Sequence, residues 1–117
     1  MPYIPGLHIL SEFTSENIEI LNCSLKFRDF LTDAITEHQL HKVGEVWHDF
    51  EGGGFTAVVC LTESHISIHT WPEYGLATFD VFLSNYQHVN DGKARKLYDS
   101  IIAFYGATEL QKNEIKR

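Results

Sequence analysis

Hydrophobic and polar residues alternate in five short segments of the chain, and this period of two is typical of β-strands with one buried face. The strands predicted from it span residues 6–13, 43–50, 55–62, 65–71 and 76–82. In the third segment Ala57, Val59 and Leu61 share one face, which predicts a core side, while the opposite face is mixed. Three glycines at 52–54 separate the second and third segments and predict a hairpin turn.

Two further segments have apolar residues spaced by three and four positions, the period of an amphipathic helix. They span 24–38 and 93–105, and Gly106 is expected to end the second. A short strand is predicted at 108–111, followed by a frayed tail at 112–117. These elements predict an α+β fold, a two-layer sandwich in which two helices cover one face of a mainly antiparallel sheet. The second face also needs cover, so we expect a homodimer.

Composition narrows the class of protein. A chain of 117 residues with 44% hydrophobic content is long enough for one domain and too short for two, so residues 1–117 are predicted to form a single domain. A net charge of -7 argues against nucleic-acid binding and suits a cationic small ligand. No signal peptide or membrane span is predicted, so we expect a cytoplasmic protein without membrane partners. Cys23 and Cys60 are expected to be small buried hydrophobic residues.

The residues with the most chemistry lie between two predicted strands, in the thirteen-residue block ESHISIHTWPEYG at 63–75. His65 and His69 have the HxxxH spacing that binds zinc on a helix, but on a strand they lie about 13 Å apart, so no metal site is predicted. Ser64 could be a hydrolase nucleophile with either histidine as base. The GxSxG turn of such enzymes is absent, and neighbouring strand residues point to opposite faces, which argues against a hydrolase.

The Glu63–Ser64 pair allows a different reaction. A serine hydroxyl at a tight junction between strands can attack the carbonyl of the preceding residue and convert the amide into an ester, which a nearby base can then eliminate. Because Glu-Ser pairs are common in proteins, the pair alone does not establish this chemistry.

The block from Glu63 to Gly75 closely resembles the signature of bacterial S-adenosylmethionine decarboxylase proenzymes, and the resemblance extends back to 6–13 and forward to 80–82. It implies self-cleavage between Glu63 and Ser64, which leaves Ser64 as a pyruvoyl group. That group is the family's cofactor: its ketone forms a Schiff base with the substrate's amine and takes up the electrons released with carbon dioxide. The resemblance also implies a homodimer, a four-layer αββα sandwich with active sites near the interface.

The resemblance assigns roles to further residues. It implies that His69 is the processing base, that Thr56 replaces a serine that assists processing, and that Ser84 replaces the cysteine thought to protonate the decarboxylated product. A serine hydroxyl is a far weaker acid than a thiol, whose pKa is about 8.5. The candidate substrate-binding residues are Trp71, Glu73 and Phe82.

Three hypotheses follow from this pattern. The first is a self-processing S-adenosylmethionine decarboxylase of polyamine (spermidine) biosynthesis, acting on a small cationic amino-acid-type substrate. The second is a pyruvoyl-dependent ornithine or arginine decarboxylase of the same superfamily, and the third is an unprocessed, non-catalytic regulatory homologue. The missing cysteine at position 84 motivates both alternatives.

Overall fold

A computed structural model describes residues 2–117, which form one antiparallel sheet with three helices. The strands are β1 (Leu7–Thr14), β2 (Lys42–Asp49), β3 (Phe55–Leu61), β4 (Ser64–Trp71), β5 (Leu76–Leu83) and β6 (Thr108–Lys116), and the helices are α1 (Ile18–Asn22), α2 (Leu25–Glu37) and α3 (Asp91–Tyr105). The strand order is β2-β3-β4-β5-β1-β6, with every neighbouring pair antiparallel. The predicted α+β two-layer fold is confirmed.

The core lies between the sheet and the two long helices. Ala57, Val59 and Leu61 of β3 are buried, as their alternation predicts. Phe27 of α2 is completely buried, and its ring centroid lies 6.2 Å from that of Phe55 on β3 and 5.4 Å from that of Tyr105 on α3. Burying a side chain of this size contributes about 1.5–3 kcal/mol, so these aromatic contacts hold both helices on one face of the sheet.

A third helix, α1, was not predicted. It has only five residues, too few to show a helical period, and the side chain of Asn17 caps it by accepting a hydrogen bond from the Ile20 N–H at 3.5 Å. Leu21 of this helix is completely buried, and its carbonyl accepts a hydrogen bond from Thr70 Oγ1 on β4 at 2.8 Å. The helix therefore forms through contacts with the sheet rather than through its own sequence.

The prediction of a frayed tail is wrong. Strand β6 continues to Lys116 and pairs with the edge of β1 along its whole length. All nine of its side chains are exposed, so no apolar alternation marks it in the sequence. The strand forms because the backbone groups of β1, which would otherwise lie at an open edge, find partners there.

No helix among residues 2–117 covers the second face of the sheet. Val46 and Val58 pair across β2 and β3 on this face and are 70% and 40% exposed. Cys60 is on the same face and Cys23 is also exposed, so the expectation that both cysteines are buried is wrong. The helices of this part of the chain are too short or too polar to cross a membrane.

Candidate active site

The site predicted from the sequence centres on the turn between β3 and β4. Leu61 pairs with Ser64, so Thr62 and Glu63 form a two-residue hairpin turn. Ser64 has a φ of +146°, a conformation that residues other than glycine rarely adopt. Such a backbone costs about 1–3 kcal/mol when the residue is not glycine. The strain therefore lies at the bond where cleavage is predicted.

The carbonyl group of the same bond is hydrogen-bonded to the residue that follows β5. The Ser84 backbone N–H donates a hydrogen bond to the Glu63 carbonyl oxygen at 2.7 Å. A backbone N–H in this position can stabilise the negative charge that forms on a carbonyl oxygen under nucleophilic attack. The resemblance assigned a role only to the side chain of Ser84. The pairing of Ser64 with Leu83 brings the main-chain N–H of Ser84 to Glu63 as well.

The Glu63 carboxylate points away from this bond and is anchored separately. Its Oε1 accepts hydrogen bonds from Thr62 Oγ1 at 2.7 Å and from the His41 N–H at 3.4 Å. Burial alone would raise the pKa of Glu63, but the hydrogen bonds from Thr62, the His41 N–H and its own N–H, together with the charge of His41, lower the pKa below its ordinary value. The carboxylate thus stays ionised and fixes the turn while the main-chain carbonyl remains available to Ser84.

Ser64, Phe82 and Ser84 line one pocket of about 440 Å³, within the usual range for a small-molecule site. Gly6 lies in its wall, where a Cβ atom would stand 2.5 Å from the Leu83 carbonyl oxygen. Only glycine allows β1 to approach the end of β5 so closely. The start of β1 therefore helps to place Ser84 beside Ser64.

The other predicted residues lie at the opposite end of β4. Thr56, His69, Trp71 and Glu73 line a second pocket of about 380 Å³. His69 is five positions beyond Ser64 on an extended strand, so the two residues are about 16 Å apart within one chain. A proton transfer needs about 3 Å, or one bridging water. The structure thus separates the predicted processing base from its target.

Within this second group, Thr56 and His69 are neighbours on paired strands. Thr56 Oγ1 and His69 Nδ1 are joined by a hydrogen bond of 2.5 Å. When Nδ1–H donates to Thr56 Oγ1, Nε2 is the ring nitrogen that can accept a proton; in the other tautomer Nε2 carries the hydrogen. The resemblance implies that Thr56 and His69 both assist processing, and this joint role stays a prediction.

A third group, on the uncovered face of the sheet, escaped sequence analysis. Asp80 Oδ2 lies 2.7 Å from His8 Nε2 and 3.5 Å from His65 Nε2, and Ser67 Oγ donates a hydrogen bond to Asp80 Oδ1. Burial alone would raise the pKa of Asp80, but the hydrogen bonds from Ser67 and His8 outweigh it and lower the pKa. The signal for this group was available in principle, since these residues occupy alternate positions on three paired strands.

The ligand atoms of His8, His65 and Asp80 all lie within 4.8 Å of one another, so this is the group best able to hold a metal ion among residues 2–117. However, His8 Nδ1 is buried without a hydrogen-bond partner in this part of the chain. A histidine that binds a metal nearly always donates its other ring N–H to a neighbouring acceptor. We therefore assign the group a structural role as a hydrogen-bonded cluster.

Comparison with known proteins identifies the family. The model of the family described as S-adenosylmethionine decarboxylase matches residues 7–117. The chain belongs to the S-adenosylmethionine decarboxylase family. The matched region includes all six strands described above, so the family assignment rests on the whole sheet rather than on the Glu63–Gly75 block alone.

Relatives in this family come from bacteria and archaea. The S-adenosylmethionine decarboxylase proenzyme of Aquifex aeolicus is 36% identical over 112 residues, which cover 96% of this chain and 80% of the relative. The proenzyme of Archaeoglobus fulgidus is 39% identical over 79 residues, covering 68% of this chain and 70% of the relative. The crystal structure of the Aquifex aeolicus adenosylmethionine decarboxylase superimposes with a TM-score of 0.86 at 34% identity, over 99% of this chain and 92% of that chain.

Proposed function

We propose that this chain is a self-processing, pyruvoyl-dependent S-adenosylmethionine decarboxylase that acts in polyamine (spermidine) biosynthesis. The observation that carries the proposal is the geometry at the Glu63–Ser64 bond. Ser64 is strained at φ +146°, and the Ser84 N–H donates to the carbonyl that a serine hydroxyl would attack. Family membership supports the same reaction, because the relatives are named proenzymes.

The processing chemistry follows from these residues. Ser64 Oγ attacks the Glu63 carbonyl carbon, the C–N bond breaks, and the peptide becomes an ester with a free amine on residue 64. A base then removes the α proton of residue 64, and the C–O bond breaks so that Glu63 leaves as a carboxylate. The remaining enamine tautomerises and loses ammonia to water, which produces a ketone. The Ser84 N–H stabilises the negative oxygen in the first step, and the backbone strain at Ser64 is released when the peptide breaks.

The place where the ketone would form suits a cofactor. Residue 64 opens onto the 440 Å³ pocket, so the new chain end would face a cavity large enough for a substrate. A pyruvoyl group supplies an electrophilic carbonyl that accepts the electrons released with carbon dioxide. The residues of this chain would bind and orient the substrate and move its protons.

The separation of about 16 Å between His69 and Ser64 is explained by a homodimer. We propose that two copies pack their uncovered sheet faces together about a two-fold axis, as a four-layer αββα assembly. In a two-fold arrangement of antiparallel orientation, the Thr56–His69 pair of one copy faces the Ser64 end of the other. The exposed apolar side chains of Val46 and Val58 support an interface on this face.

The partner's second pocket would then complete the substrate site. Trp71 and Glu73 line that pocket with His69, so they would approach Phe82 and Ser84 across the interface. This arrangement makes the predicted substrate-binding residues parts of one composite site even though one chain keeps them apart. We therefore expect that separating the two copies would abolish cleavage as well as substrate turnover.

The 440 Å³ pocket favours S-adenosylmethionine over ornithine or arginine. The pocket is lined by the rings of Tyr3 and Tyr86, which are largely exposed and suit a sulfonium and an aromatic base.

Denaturing mass spectrometry of the purified protein tests the proposal. We expect two fragments, residues 1–63 and 64–117. The second should be lighter, by the mass of one ammonia, than a fragment that begins with an unmodified serine, which simple hydrolysis of the peptide bond would produce. Ser64→Ala should abolish cleavage, and His69→Ala should stall or slow it. A single intact chain would favour the non-catalytic regulatory alternative and contradict both decarboxylase hypotheses.

If the chain is cleaved, carbon dioxide release is measured with S-adenosylmethionine, ornithine and arginine side by side. We expect release from S-adenosylmethionine alone. Release from ornithine or arginine, with none from S-adenosylmethionine, would replace the proposed substrate while leaving the processing chemistry intact.

A further inference from the structure

The pocket that contains Ser64 and Ser84 also contains a cation, Arg117. The backbone of Arg117 is fixed to Gly6 by two hydrogen bonds, with Gly6 N to Arg117 O at 2.7 Å and Arg117 N to Gly6 O at 2.9 Å. The Cζ atom of its guanidinium group lies 5.1 Å from the centroid of the Phe82 ring. The backbone of Arg117 is therefore held by strand pairing, and its guanidinium lies beside Phe82 at the exposed rim of the pocket.

Among residues 2–117, no aspartate or glutamate side chain forms an ion pair with the Arg117 guanidinium, whereas Lys116 on the same strand pairs with Asp91 Oδ2 at 2.6 Å. The remaining lining of the pocket is apolar, aromatic or uncharged. An arginine without a protein partner in such a pocket is suited to bind an anionic group of a ligand, since its planar guanidinium matches a carboxylate.

We propose that Arg117 binds the α-carboxylate of the substrate and is a specificity-determining residue of the decarboxylase. This inference rests on the proposed function. The substrate's amine must reach residue 64, and the carboxylate is attached to the same carbon as that amine. It must therefore enter the pocket that Ser64 and Arg117 both line.

The charge of Arg117 also sets the direction of the substrate. A sulfonium is repelled by the guanidinium and attracted to aromatic rings, so it lies away from Arg117 while the carboxylate lies toward it. When the bond between the α carbon and the carboxylate breaks, the anion leaves as neutral carbon dioxide, and the α carbon takes up a proton. The product then has no group for Arg117 to bind, so Arg117 distinguishes substrate from product.

The test compares processed wild-type enzyme with R117Q and R117K. For each, KM and kcat are measured with S-adenosylmethionine, and inhibition constants are measured for its decarboxylated product and for its methyl ester. Neither inhibitor has a free carboxylate. In R117Q we expect KM to rise about tenfold or more, because a hydrogen-bonded charge pair is lost, while both inhibition constants stay within about twofold of wild type. R117K should recover part of the loss.

K116Q is the matched control. It removes one positive charge from the neighbouring position of the same strand, where the side chain is paired with Asp91 rather than placed in the pocket. We expect KM and both inhibition constants to be unchanged in this variant. A change in KM equal to that of R117Q would show that overall charge, and not the position of Arg117, governs binding.

Two results would overturn the proposal: an unchanged KM in R117Q, or equal weakening of the substrate and of both inhibitors. If R117Q is not cleaved, the comparison is made with R117K, whose ammonium cannot form the bidentate contact. If the ratio of KM for the substrate to the inhibition constant of the product is the same in R117K as in wild type, the proposal is also wrong. Failure of the proposed function is separate, because wild-type enzyme would then release no carbon dioxide from S-adenosylmethionine.

Discussion

The clearest consequence of the structure is that processing should occur between two copies of the chain. His69 and Ser64 are five positions apart on β4, a distance of about 16 Å, which exceeds the reach of a proton transfer about fivefold. We therefore predict that a chain with His69→Ala is cleaved when its partner carries an intact His69. Ser64→Ala supplies such a partner, because it keeps the Thr56–His69 pair and lacks the hydroxyl that is converted.

Random association of the two variants at equal amounts would put about half of the His69→Ala chains into mixed dimers. Each mixed dimer has one composite site with both intact residues and one with neither. We therefore expect cleavage of about half of the His69→Ala chains in the whole mixture, of all His69→Ala chains in isolated mixed dimers, and of no Ser64→Ala chain. The two variants are co-expressed with different affinity tags, mixed dimers are isolated through both tags, and cleavage of each chain is measured by denaturing mass spectrometry.

The control partner is the double variant Ser64→Ala, His69→Ala, which should leave the His69→Ala chain uncleaved. Cleavage with this partner would mean that dimer formation, rather than the partner's histidine, restores the reaction. If isolated mixed dimers with an intact partner His69 show no cleavage above the His69→Ala homodimer, processing does not use His69 across the interface, and the two-fold arrangement proposed here is wrong.

Three further predictions concern single positions. Thr70→Val removes the hydroxyl that accepts from the Phe55 N–H at 2.9 Å and donates to the Leu21 carbonyl, so the free energy of unfolding in urea should fall by about 1–3 kcal/mol. Asp80 has a lowered pKa in the folded state, so the ionised side chain stabilises the fold at neutral pH and this effect is lost as the pH falls through the lowered pKa. Asp80→Asn should therefore reduce the free energy of unfolding at neutral pH and make it depend less on pH in the acidic range. Ser84→Cys should raise kcat if proton donation limits turnover, because a thiol is a far stronger acid than a hydroxyl.

These predictions have internal controls. Thr32→Val also removes a threonine hydroxyl, but one exposed on α2 and bonded to the Arg28 carbonyl, and it should change stability by less than about 0.5 kcal/mol. If Thr70→Val costs no more than Thr32→Val, the buried hydroxyl does not stabilise the junction of α1 with the sheet. An unchanged acid unfolding profile in Asp80→Asn would contradict the role of the cluster, and an unchanged kcat in Ser84→Cys would show that another group supplies the proton.

Much of the fold was predictable because its elements carry strong periodic signals. Helices α2 and α3 lie close to the predicted segments, and Gly106 ends α3 in a left-handed conformation at φ +55°. The hairpin turn at the three glycines is also confirmed, and Gly53 has a φ of +104°, a backbone conformation that residues with a side chain rarely adopt. In contrast, α1 and β6 are stabilised by partners far along the chain, and such contacts leave no local pattern.

The candidate site likewise has features that a local sequence pattern predicts and features that depend on distant parts of the chain. The order of residues from Glu63 to Gly75 was enough to predict the family and to propose cleavage between Glu63 and Ser64, because reactive groups must stand in a particular sequence beside the bond they act on. The alternation of apolar and polar residues in that block also predicted a strand, on which His65 and His69 lie too far apart to bind one metal ion.

Spatial neighbours depend instead on strand register and on close packing, which join residues far apart in the chain. The pairing of β4 with β5 brings the Ser84 N–H to the Glu63 carbonyl, and the pairing of β1 with its neighbours brings Gly6 and Arg117 to the same pocket. Composition and periodicity carry no information about such contacts, because shifting a strand by two residues preserves its buried face while changing every partner. Chain order therefore indicated the bond that we propose to react, and the folded sheet determined which residues surround it.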